Sequence, residues 1–238
     1  GLNRLRRLAA GYAANILAFL VIVTLTGSET LTPTLIFTVV VPAQLGASLL
    51  ALSSIRTRRG FAGFAEAYGL SIETSDVRYL ALGAGLNILL AFAVSPIAQA
   101  LPSEENPLGS VEIIKELEGP FAILAAALVL AVGVPVVEEV AYRGLLLRLS
   151  MQRTSAWTAV IVSSVVFALA HIVALRSFDR ETLVFFFVVV VPVFLVLGVV
   201  MAWLTLRHGR LGPAIFVHSG YDLLSFVLLV AAPTLFET

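Results

Sequence analysis

Residues 119–149 read GPFAILAAALVLAVGVPVVEEVAYRGLLLRL, and this stretch decides the fold. It runs without a charge as far as Val137, then places Glu138, Glu139 and Arg143 inside the same continuous segment. A helix rises about 1.5 Å per residue and the hydrocarbon core of a bilayer is ~30 Å thick, so roughly 20 mostly apolar residues cross it. The segment is long enough to cross and to carry charge within the span. The rest of the chain has the same character: of 238 residues, 59% are hydrophobic and only 13% charged, with a mean hydropathy of +1.01. Soluble domains lie near 45–50% apolar and about 25% charged. A water-soluble protein of this composition could not cover its surface, so lipid is the solvent.

Working outward, spans are expected near residues 9–27, 32–53, 78–100, 119–149, 156–175, 182–206 and 211–233. All should be helices, because backbone groups in lipid must be satisfied within the segment. The fold class is therefore an all-α, polytopic transmembrane bundle of about seven spans, one integral membrane domain over 1–238 with residues 119–233 holding the polar site. Gly83, Gly85 and the alanine-rich stretch from Ala122 to Ala131 predict close helix packing. Pro135 and Pro192 lie within spans and should kink them. Residues 60–77 read as a short interfacial helix and turn. The chain starts at Gly1 rather than methionine, so residues are expected before it; its first apolar run reads as a retained span, not a signal peptide.

The connecting segments alternate in charge. Arg4, Arg6 and Arg7, then Arg56, Arg58 and Arg59, then Arg143, Arg148 and Arg153, then Arg207 and Arg210 fall on one side. Glu29, Glu104, Glu105, Glu112, Glu116 and Glu118 dominate the other, with Lys115, Arg176 and Arg180. The positive-inside rule then places the N-terminus in the cytoplasm and the C-terminus outside. Basic and acidic residues balance at 15 each, leaving no basic footprint for nucleic acid. Cysteine is absent, which excludes disulfides, thiolate ligands and a cysteine nucleophile.

An ionisable side chain at the centre of a span costs about 2.5–3.5 kcal/mol on insertion scales, so such residues mark function by default. After the loop charges are removed, Glu138, Glu139, Arg143, His171, His218 and Asp222 remain, on three helices. Glu139 and Arg143, at i and i+4, suit a helical ion pair. Glu138 lies about 100° around the helix and is free for general-base chemistry, although a charge cluster packing on a neighbour would look the same. His171 shares a face with Phe167; a lone histidine in an apolar helix is commonly a core residue bonded to a nearby carbonyl. His218 and Asp222, again i and i+4, can hold one water or one metal ion, or simply lock two helices together. Gly220 removes bulk beside them. Together Glu138, His171, His218 and Asp222 could bind a borderline cation such as Zn2+ or another divalent metal, or activate water with no metal at all. Counting helical rise puts Glu138 near mid-span but His171 towards the outer half.

The ordered pattern Glu138-Glu139-x-x-x-Arg143, Phe167-x-x-x-His171 and His218-x-x-x-Asp222, each on its own span, resembles the CPBP intramembrane proteases. That family includes the Rce1-type CAAX prenyl endopeptidases and bacterial relatives. The resemblance implies a helical bundle with a polar cavity open to the cytoplasm, in a bacterial cytoplasmic membrane. It implies an endopeptidase acting on a membrane protein or lipidated peptide. Glu138 would activate water, His171 and His218 would assist or bind metal, Asp222 would complete the site, and Glu139, Arg143 and Phe167 would support it. Where the family often has asparagine, this chain has Asp222, and the added carboxylate favours a bound cation or a protonated carboxyl. Two other readings use the same residues: a proton-coupled transporter, since buried glutamate and histidine suit a relay, and a non-catalytic scaffold or immunity protein. No inverted repeat supports the transporter.

Overall fold

A computed structural model describes residues 32–56, 60–101, 113–175 and 177–231. The expected first span, 9–27, lies outside them, as do Arg4, Arg6, Arg7, Glu29, Arg58, Arg59, Glu104, Glu105, Glu112 and Arg176. The described chain is helical throughout, with six helices long and apolar enough to cross a membrane. The protein is an integral, multi-pass membrane protein. In chain order the helices are α1 (33–56), the short α2 (Gly60–Tyr68), α3 (Thr74–Ala100), α4 (Gly119–Ser150), α5 (Ala156–Ala174), α6 (Arg180–His208) and α7 (Gly212–Ala231).

Local chemistry sets the helix ends. The Ser155 hydroxyl accepts from the Thr158 N–H at 3.2 Å and opens α5, and Asp179 accepts from the Thr182 N–H at 2.8 Å and opens α6. Gly209, at φ 69°, ends α6 in the left-handed conformation that favours glycine. The expected α2 is present, but it does not rest only on the bilayer interface. Phe64 and Tyr68 are buried in the protein, and the Tyr68 hydroxyl donates to the Leu52 carbonyl at 2.8 Å.

Three of the prolines follow a widened turn. Pro42, Pro135 and Pro192 each follow a five-residue π-helical segment: 36–40, 129–133 and 186–190. Proline lacks an N–H for the i−4 carbonyl, and its ring collides with that carbonyl. A wider turn just before the ring relieves the collision while the helix continues. A further π segment, Val140–Leu147, has no proline; it starts directly after Glu139 and carries Arg143.

Large apolar side chains line the outside, among them Phe92, Leu50 and Phe121, while Glu139 and Arg143 are fully buried. That inversion is what a lipid solvent demands. Within the bundle, α7 packs against α3, α6 and α4, and α5 packs between α6 and α4. Gly83 and Gly220 permit the α3–α7 approach: a Cβ at Gly83 would stand 1.9 Å from the Val217 carbonyl oxygen, and one at Gly220 would stand 2.2 Å from that of Leu80. Ala122, Ala126 and Ala131 are buried as expected. Gly85 is not a packing glycine, since a Cβ there meets nothing within 4 Å; two residues along a helix from Gly83, it faces another direction.

At one end of α3 and α7 a polar tie closes the bundle. Arg210 forms two hydrogen bonds to the fully buried Asp76, the longer-range arm at 2.8 Å, and also pairs with Glu73 at 2.9 Å. The Asp76 carboxylate raises the Arg210 pKa above its usual value. The N–H groups of Leu211 and Gly212 donate to the carbonyls of Gly69 and Ser71 at 2.9 and 3.2 Å. Gly83→Ala should cost about 1–3 kcal/mol by forcing two backbones apart, and Gly85→Ala should cost nothing. Thermal unfolding of both variants in one detergent checks this; equal midpoints would refute the α3–α7 contact.

Candidate active site

The second π segment of α4 presents Arg143 to the bundle centre. Gly144 beside it lets α2 close in, because a Cβ there would already lie 3.1 Å from the Tyr68 carbonyl oxygen. The guanidinium Nη1 donates to Glu139 Oε1 at 2.9 Å, with both side chains fully buried. Its Nη2 donates to the Gly198 carbonyl on α6 at 3.3 Å. The flat face lies over the Phe167 ring on α5, 4.3 Å from the centroid, a cation–π contact. The i, i+4 ion pair expected from sequence is therefore present, and α5 and α6 complete it.

Glu139 Oε1 also receives His218 Nδ1 from α7, at 3.0 Å. A carboxylate paired with an arginine only accepts, so Nδ1 is the donor and carries a proton. The other ring nitrogen, Nε2, stands 3.7 Å from Glu138 Oε2 and 3.4 Å from Asp222 Oδ2. The adjacent glutamates thus straddle one imidazole, with Glu139 on its buried side and Glu138 on its more open side. Glu138 and Asp222 keep 24% and 23% of their side-chain exposure, against 2% for His218, so the cluster opens at the two carboxylates.

His171 closes the group from the end of α5, where the helix tightens into a 3-10 turn over His171–Ala174. Its Nδ1 contacts the Phe167 carbonyl at 2.9 Å, the bond expected of a core histidine, which leaves Nε2 as the unused nitrogen. The Phe167 ring touches both imidazoles edge-on, with centroids 4.9 Å from His171 and 5.6 Å from His218. Rise counting set His171 apart from the other residues; helix packing and the reach of one aromatic ring bring it back. All six ionisable residues of the sequence analysis, with Phe167, meet in one place.

Glu138 Oε2, Glu139 Oε2 and Arg143 Nε are buried and have no hydrogen-bond partner among the described residues. An unpartnered buried polar atom costs about 1–3 kcal/mol. The donor set of two imidazoles and two carboxylates suits zinc in kind. Among the described residues, however, no three histidine, aspartate or glutamate side chains converge as the ligands of one ion. We therefore derive no step through a metal.

Sequence reasoning missed two polar contributors. Asn87, buried on α3, donates to the Tyr221 carbonyl at 3.1 Å and to the Ser225 hydroxyl at 2.6 Å, anchoring α7 beside Asp222. An uncharged amide inside a span was the available signal, and a search confined to ionisable residues passes over it. His208, the last residue of α6, has Nε2 2.9 Å from the Tyr79 hydroxyl and joins α6 to α3.

Residues 120–224, which contain all three motifs, match the family model described as type II CAAX prenyl endopeptidase Rce1-like. The match agrees with the resemblance carried by the motifs, and the chemistry of the matched family is that of a protease. No curated protein and no solved structure matches.

Arg143→Met should destabilise the protein by about 3–5 kcal/mol, because Glu139 is left buried and uncompensated. The double variant Glu139→Gln/Arg143→Met should recover part of that loss. Unfolding midpoints in detergent test both; a single variant as stable as the wild type would remove the ion pair as a structural element.

Proposed function

We propose that this protein is an intramembrane endopeptidase that hydrolyses a peptide bond of a membrane-associated substrate, lipidated or CAAX-like, with water activated by Glu138. The observation that carries this reading is Glu138 Oε2: buried, without a hydrogen-bond partner among the described residues, and 3.7 Å from His218 Nε2. That distance is too long for a direct hydrogen bond and suits a water held against both groups.

In the reaction the water oxygen bonds to the scissile carbonyl carbon as its proton passes to Glu138. The C–N bond of the tetrahedral intermediate then breaks, and the Glu138 proton leaves on the amine. His218 is held from behind by Glu139, and when its ring carries both protons Nε2 donates to the developing oxyanion, with His171 Nε2 as a second donor in the same state. Asp222, one turn after His218, flanks Nε2 at 3.4 Å and restrains the ring. Glu139, Arg143 and Phe167 touch no reacting atom in this scheme; they hold the imidazoles. The active residues of α4 and α7 then belong to a bundle with a cytoplasmic N-terminus and an external C-terminus in a bacterial cytoplasmic membrane.

Glu138→Gln keeps the shape and removes the base, so cleavage should fall at least ~10²-fold at unchanged protein abundance. New protein termini in membranes carrying wild type or Glu138→Gln measure this. Identical termini with both proteins abundant would favour a scaffold, and substrate flux in proteoliposomes abolished by the variant would favour a transporter. For orientation, a reporter enzyme active only outside the cytoplasm should work fused to the C-terminus and fail at the N-terminus; the reverse pattern overturns the assignment.

A further inference from the structure

His171 is gripped by an aromatic ring that belongs to none of the three motifs. Its backbone sits where α5 gives way to the 3-10 turn, and the chain is extended by Leu175 (ψ 141°), so the helix alone holds it weakly. The contact from Nδ1 to the Phe167 carbonyl keeps the proton on Nδ1 only while the ring stays in that plane, and one hydrogen bond does not hold the plane of an imidazole. Phe194, on α6, supplies the missing restraint. Its ring centroid lies 3.7 Å from that of His171, with the planes 19° apart, a face-to-face stack. On another side Phe167 meets the imidazole edge-on, at 4.9 Å and 79°.

Phe194 is itself braced. It meets Phe167 at 5.9 Å and 76°, and Tyr221, the neighbour of Asp222 on α7, at 6.3 Å and 55°. It lies two residues after Pro192, just beyond the π segment 186–190, so the widened turn helps set where α6 presents it. Helix α6 brings no ionisable side chain to the cluster, yet it touches the cluster through this ring and through the Gly198 carbonyl.

We propose that Phe194 is a positioning residue for His171, holding the imidazole plane so that Nε2 is presented in one direction and the ring keeps one tautomer. That role rests on the reading of His171 as part of the active site only in its consequence for turnover; the stack of Phe194 on His171 does not depend on it.

The test uses the full chain in lipid nanodiscs with 15N-labelled histidine. The three histidines, His171, His208 and His218, are assigned by single substitutions to glutamine. Wild type should give His171 signals of a single tautomer protonated at Nδ1. Phe194→Leu keeps the apolar character and loses the flat face, so the His171 signals should move towards a tautomer average while those of His208 stay in place. Phe194→Tyr, which keeps the ring, should preserve the single tautomer. In a cleavage assay Phe194→Leu should lower kcat about tenfold at unchanged KM, the mark of misplacement rather than weaker binding. Should Phe194→Leu lose the folded His208 signal, Phe194→Met replaces it. Unchanged His171 signals in the folded variant overturn the proposal whatever the activity. Shifted His171 signals in a protein whose wild type cleaves nothing would uphold the positioning and refute the endopeptidase.

Discussion

A charge pair buried in a lipid-solvated bundle must be satisfied almost entirely by the protein, and here Glu139 and Arg143 impose that demand on everything around them. One guanidinium reaches Glu139 on its own helix, the Gly198 carbonyl on α6 and the face of Phe167 on α5. The carboxylate oxygen it shares goes on to His218 on α7. Four helices are thus referenced to one ion pair. Such a pair adds little net stability over an apolar replacement, because desolvation offsets attraction. Its effect is to make wrong arrangements costly, since any helix shift strands a charge.

Small residues make the convergence possible. Gly198 lets α6 approach Ser164 of α5, where a Cβ would lie 3.0 Å from the serine Cβ, and it is the Gly198 carbonyl that receives Arg143. Gly83 and Gly220 do the same for α3 and α7, and Asn87 fastens that contact with two hydrogen bonds near Asp222. Close backbone approach gains dispersion where lipid offers no hydrophobic drive between helices. It also sets His218 and Asp222 at a defined height against Glu138. At the other end of α3, Asp76 with Arg210 ties it to the start of α7 and Tyr79 with His208 ties it to α6, which keeps these helices from sliding.

The two glutamates illustrate how neighbouring residues of one type acquire different tasks. One helical step turns Glu139 into the sealed interior, where arginine and histidine share it, and leaves Glu138 beside the open side of the same imidazole. The widened turn that begins at Val140 carries the buried arginine four residues after Glu139, where it pairs with that carboxylate. In the proposed reaction the inner carboxylate sets the imidazole and the outer one handles the water.

Composition, span length and residue spacing are enough to read the solvent, the helical class, the positions of the described spans and the short list of ionisable residues that meet in the bundle. Each of these follows from a local rule: apolar length against bilayer thickness, the cost of a charge in lipid, and the i, i+4 geometry that pairs Glu139 with Arg143. Which helix faces which emerges only from the packed bundle. Gly83 packs and Gly85 does not, Asp76 finds Arg210, Asn87 binds α7, and Phe194 stacks on His171. In a soluble protein an apolar stripe would have oriented each helix. Here lipid accepts Phe92 and Phe121 on the outside as readily as the core accepts Phe167 within. The periodic signal that distinguishes inner from outer faces is therefore nearly erased, and partners far apart in the chain are chosen by shape and polar satisfaction that no local pattern encodes.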